Sequence, residues 1–161
     1  MADGEELLIV SGNERDRTGL TELFRKNGFI VTGLSDTRTA RERLLEKFFP
    51  VMLLDFDVKP DGGMSLLKFS LERSPQTAVV MLTSRRSFEQ AVEAFRLGAH
   101  DVISKEPSEI ARIAKRVEQA LPPAGEVRLL QLTDLQFSRM QIFIGKRVAP
   151  TEKPPEQLSF F

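Results

Sequence analysis

Along residues 1–121, short apolar runs alternate with longer stretches in which apolar positions recur every three or four residues. The runs are Leu7–Val10, Phe29–Leu34, Val51–Asp55, Ala78–Thr83 and Asp101–Ser104. Short apolar runs bounded by turn signals predict strands buried on both faces. The stretches between them predict helices. Asn13 caps one that runs to about Asn27, with Leu20, Leu23 and Phe24 on one face and Gly28 as its stop. Asp36 caps a second, through about Lys47, with Ala40, Leu44 and Leu45 facing inward. The loop Lys59–Gly63 leads to a third, ending near Arg73, and Ser87 with Gln90 makes a capping-box pattern for a fourth that ends at Gly98. Pro107 suits the first turn of a fifth, continuous to about Leu121, where Pro122 and Pro123 stop it. Strand and helix in strict alternation imply a parallel sheet with helices on both faces, since right-handed crossovers place them there. Met52, Leu53, Val80 and Leu82 are the expected core of its central strands.

Composition narrows the chemistry. The 161 residues carry 23 basic and 23 acidic side chains, so bulk charge does not favour nucleic acid. The absence of Cys removes disulfides and thiolate metal sites, and a single His argues against a His-based zinc site. No apolar run approaches the roughly 20 residues that span a bilayer, and the acidic start lacks the basic opening of a signal peptide. The expectation is a cytoplasmic chain that does not engage membranes. His100 is expected on the surface before the fifth strand, and the basic stretches around Arg85 and Arg116 as solvated helix faces.

The third strand ends on Asp55, with Asp57 two residues on. A buried, unpaired carboxylate costs several kcal/mol, so Asp55 should lie at the strand's end, in a crevice, beside a partner. In doubly wound sheets the chemistry lies outside the carboxyl ends of the strands. Ser11 and Gly12 after the first strand, Thr83 at the end of the fourth and Lys105 after the fifth share that edge. Lys105 can hold Asp55 ionised, and Thr83 can offer a hydroxyl to an oxygen attached there. Together they form a pocket for a phosphoryl group on aspartate.

That order of Asp, Thr and Lys resembles the receiver domain of bacterial response regulators. The stretch "DFDVKPDGGMSLLK" resembles the phosphoacceptor loop, with Gly63 eight residues after Asp55, and "AVVMLTS" its fourth strand. "AVEAFRLGAHDVISKE" is similar to the fourth helix and fifth strand of receivers on enhancer-binding transcription activators. The resemblance spans about Glu5 to Leu121. It implies a flavodoxin-like sheet in the order 2-1-3-4-5, Asp55 as phosphoacceptor candidate, Thr83 and Lys105 as phosphate-site support, and position 102 as the switch. It also implies a place in two-component signalling or a phosphorelay, a sensor histidine kinase as possible partner, and possible homodimerisation.

The departures shape the expected function. Receivers usually end the first strand with two acids that hold Mg²⁺; Ser11 and Gly12 stand there instead. Asp55 and Asp57 are weak candidates for a metal, Glu14 and Asp61 weaker still, so Mg²⁺ binding is expected to be weak or absent. Val102 replaces the usual aromatic switch, Pro60 falls one residue late, and Glu106 separates Lys105 from Pro107. The reading is an atypical receiver without enzymatic turnover, acting through regulatory protein–protein contacts. The alternative is a true phosphorylation switch, loaded on Asp55 by a histidine kinase, with an unusual metal site. A flavodoxin-like ligand binder would call for an aromatic stacking loop or a Gly-rich phosphate loop, and neither is seen.

Residues 122–161 form a linker and an extension. "VRLLQLTDLQFSRMQIFIGKRV" is apolar without a clean period and too short for its own core, so it is expected to pack on the receiver, a second copy or a partner. Nothing in it reads as a helix-turn-helix, so direct nucleic-acid binding is not expected. The final "QLSFF", with Gln157, Leu158, Phe160 and Phe161, resembles the pentapeptide that binds the bacterial DNA polymerase sliding clamp.

Overall fold

In a computed structural model, residues 2–84 and 87–122 are described, and the expectations for 123–161, the clamp-like pentapeptide included, lie outside them. The strands are β1 (Glu6–Val10), β2 (Ile30–Leu34), β3 (Val51–Asp55), β4 (Ala78–Thr83) and β5 (Asp101–Ser104). The helices are α1 (Glu14–Lys26), α2 (Thr37–Glu46), α3 (Gly63–Arg73), α4 (Phe88–Leu97), α5 (Pro107–Ile110) and α6 (Ile113–Ala120). All strands pair in parallel, in the order β2-β1-β3-β4-β5.

Helices α1, α2 and α4 start where their caps predict. Asn13 Oδ1 accepts from the Asp16 N–H, Asp36 Oδ1 from the Thr39 N–H, and Ser87 Oγ from the Gln90 N–H, each satisfying an otherwise orphaned donor. Gly98 ends α4 at φ 116°, a left-handed conformation that glycine adopts without steric cost.

The pleat sends alternate side chains to opposite faces and so builds two cores. Leu8, Val10, Met52, Leu54, Val79 and Met81 pack under α2, α3 and α4. Leu7, Ile9, Val51, Leu53, Val80 and Leu82 pack under α1 and α6. The four expected core residues are at most 1% exposed. Burial on both faces explains why the central strands read as unbroken apolar runs.

Four expectations need correction. Leu45 does not face inward: it is exposed, and the buried face of α2 is carried by Thr37, Ala40 and Leu44. The last helix is not continuous. At Arg112 the backbone donates to the Glu109 carbonyl, three residues back, and the chain turns there before α6 begins. His100 is buried, not on the surface: after the Gly98 turn its N–H donates to the Val79 carbonyl at 2.8 Å, which draws it against β4. Arg116 is not on a solvated face. Its guanidinium grips fully buried Asp101 through Nε at 2.8 Å and Nη2 at 2.6 Å, and reaches Glu109 at 2.7 Å. Among the described residues, no helix is long and apolar enough to cross a membrane.

Candidate functional site

Register brings the sequence-predicted residues to one edge. Val10 aligns with Leu54, so Ser11 lies beside Asp55; Thr83 aligns with Ser104, so Lys105 is the next step out. Ser11, Asp55 and Thr83 are all buried. Gly63, the first residue of α3, packs directly on this strand end: a Cβ there would lie 2.3 Å from the Asp55 carbonyl oxygen, closer than atoms can approach. The glycine is what lets α3 start so near the carboxylate.

Asp55 is fully engaged. Lys105 Nζ lies 2.5 Å from Asp55 Oδ2, and Ser11 Oγ donates to the same oxygen at 3.2 Å. The Asp57 N–H donates to Oδ1 at 3.3 Å. Lys105 also contacts Asp16 Oδ2 at 2.8 Å, so one ammonium bridges β3 and α1. Burial alone would lower the Lys105 pKa, but the hydrogen bonds and charges of Asp16 and Asp55 outweigh it, and the net shift is upward.

Asp16 was missed in the sequence, where Glu14 was the acid considered. Glu14 is exposed at the start of α1, while Asp16 turns toward Lys105. The available signal was the Asn13 cap, which aims the first turn of α1 at the carboxyl edge. Arg17, also unforeseen, donates through Nη1 to the Ser11 carbonyl at 2.8 Å and so pins the end of β1.

Other candidates fall elsewhere. Asp57 is exposed, with Ser84 Oγ donating to it at 3.5 Å. Asp61 stands apart, held by Thr37, Arg41 and Ser65, and the Thr37 hydroxyl first among these pushes its carboxyl well below the ordinary range. Val102 is 1% exposed and belongs to the core under α4.

The receiver fold implies Mg²⁺ beside the phosphoacceptor. As arranged, the donors here do not fit it. Mg²⁺ takes oxygen ligands in near-ideal octahedral geometry, whereas Ser11 and an ammonium meet the Asp55 oxygen facing the end of β1. Among the described residues no three Asp, Glu, His or Cys side chains gather as a metal site.

The sequence matches the response regulator receiver domain family over residues 7–118. It is similar to Protein PetR of Rhodobacter capsulatus, with 33% identity over 126 residues that cover 74% of this chain and 53% of PetR. It is also similar to the transcriptional regulatory protein QseB of Escherichia coli O157:H7, with 27% identity over 152 residues that cover 94% of this chain and 64% of QseB. The chain therefore spans under two thirds of either relative. The fold is similar to the solution structure of the beryllofluoride-activated NtrC4 receiver domain dimer, with a TM-score of 0.67 and 27% identity over 72% of this chain and 95% of that one. With aspartate, threonine and lysine at the ends of β3, β4 and β5, and the family match running through all three, the chain belongs to the response regulator receiver domain family.

Proposed function

We propose that this receiver acts in two-component signalling through regulatory protein–protein interaction, with Asp55 held as one member of a standing ion-pair cluster. One observation carries the reading: Lys105 bridges Asp55 and Asp16 while Ser11 takes the place of an acid. Phosphoryl transfer to a carboxylate needs positive charge at the developing phosphoryl oxygens. Here the cation nearest Asp55 is already balanced by two carboxylates. A fixed cluster leaves output to depend on what binds the surface, and the partners of this reading are cytoplasmic proteins, a second copy among them.

The second reading, a phosphorylation switch, draws on buried Thr83 beside Asp55 and Lys105. In it an Asp55 oxygen would attack the phosphorus of a kinase phosphohistidine. The P–O bond forms, the P–N bond breaks, and the imidazole leaves and takes a proton.

Restoring the missing acids separates the two. At Gly12 a Cβ would meet only the Ser35 carbonyl, at an ordinary 3.6 Å, so Gly12→Asp is sterically admissible. In a Mg²⁺ titration followed by amide NMR, the native protein should bind weakly, with a dissociation constant above the millimolar range. Ser11→Asp with Gly12→Asp should bind measurably tighter. Equal, tight binding by both proteins would remove the proposal.

A further inference from the structure

We propose that the groove between α1 and the β5–α5 turn binds a small monocarboxylate with a compact apolar body. The groove encloses about 310 Å³, the lower end of the range for small-molecule sites. Leu20 and Leu23 of α1 form one wall, Ile110 of α5 the other, and Leu82 the floor. These aliphatic side chains suit an apolar body. The polar lining is Arg15, Asp16 and Lys105, two cations and one carboxylate. Lys105 is already paired, whereas Arg15 makes no ion pair among the described residues. An anionic head group at Arg15 therefore gains a partner without breaking one.

Gly19 gives the groove its shape. It stands in the middle of α1, where glycine weakens a helix, and a Cβ built there meets nothing within 4 Å. A side chain at this position would project into space that is now open. Neither packing nor backbone angle asks for glycine here, and its small size leaves the groove open at this point.

Occupancy would reach the Asp55 cluster. A carboxylate seated at Arg15 lies beside Asp16 and adds negative charge next to the bridge made by Lys105, the residue that holds Asp55. This coupling rests on the proposed function, whereas the binding itself does not.

The test uses the full chain and two probes of equal length, octanoate and octanamide, followed by NMR. Octanoate should give saturable shifts of the Leu20, Leu23, Leu82 and Ile110 signals. Arg15→Gln should weaken octanoate about three- to fivefold, as loss of an exposed ion pair does, and leave octanamide unaffected. Gly19→Leu should abolish binding of both. Leucine favours the helix, so the rest of the spectrum should persist. Absent or non-saturable shifts, shifts centred away from these residues, or binding that survives Gly19→Leu would overturn the site. So would contacts in the free protein between the groove methyls and residues 123–161, which would make the chain's own tail the occupant. None of these outcomes bears on Mg²⁺ binding at Asp55, so failure here is distinguishable from failure of the proposed function.

Discussion

Lys105 sets the charge balance of the site, and its removal shows which partner matters. Asp55 is 4% exposed, so Lys105→Met would leave a buried carboxylate without its counter-charge. Breaking a hydrogen-bonded charge pair in such a place costs about 2–3 kcal/mol. Asp16 is about a third exposed, and Asp16→Asn should cost under about 1 kcal/mol. Urea denaturation of the two variants checks that order. The pH dependence has a definite sign. The Lys105 pKa is raised above its ordinary 10.5, so its stabilisation is complete below that value and fades as pH rises through the higher folded-state value. The stability difference between native protein and Lys105→Met should be flat through neutral pH and shrink in strong alkali as the ammonium loses its proton. Asp55, Thr83 and Lys105 were legible because strand ends in a parallel sheet share one edge. Asp16 was not, because Glu14 and Asp16 lie about 200° apart around a helix, and the rotation of α1 is set by packing.

At the scale of elements, the break between α5 and α6 is where pattern reading fell short. Ile110, Ile113, Ala114 and Val117 fit one helical stripe, and nothing in that stripe reports the turn at Arg112. Nor does sequence spacing report that Arg116 reaches back 15 residues to Asp101. The pair ties α6 to β5, next to buried Val102, whose carbonyl also accepts from Arg116 at 3.1 Å. Arg116→Met should therefore remove a two-point charged grip on the fully buried Asp101 carboxylate and cost about 3 kcal/mol by urea denaturation. A loss below about 1 kcal/mol would mean that the pair does not anchor the helix. The Asp61 cluster is the matching case on the other side of the sheet. It joins α2, the β3–α3 loop and α3 through Thr37, Arg41 and Ser65, contacts that sequence separation hides.

For the molecule as a whole, two faces of one sheet explain why the topology was readable. Continuous apolar runs could only be strands covered on both sides, and strict alternation with helices left parallel pairing as the economical arrangement. Leu53 tests that placement. It is fully buried in the core under α1 and α6, and Leu53→Ala should cost about 3 kcal/mol through the cavity it leaves. A change below about 0.5 kcal/mol in urea would contradict it. The departures expected at Ser11, Gly12 and Val102 were legible only through the resemblance to receivers, which supplies the residues that usually stand there. The Lys105–Asp16 pair was not legible, since the two residues meet only after folding.

The most direct measurement of the central claim is the amide NMR spectrum of the native protein, recorded with and without Mg²⁺ and beryllofluoride as a phosphoryl mimic. Under the proposed function, with Lys105 shared between Asp55 and Asp16 and Ser11 on the same carboxylate oxygen, the mimic is expected to find no metal to seat it. The signals of Ser11, Asp55, Thr83, Val102 and Lys105 should stay in place. Large Mg²⁺-dependent shifts through those residues, or an acid-labile phosphoryl adduct on Asp55 after treatment with acetyl phosphate, would contradict the standing cluster and establish the phosphorylation switch.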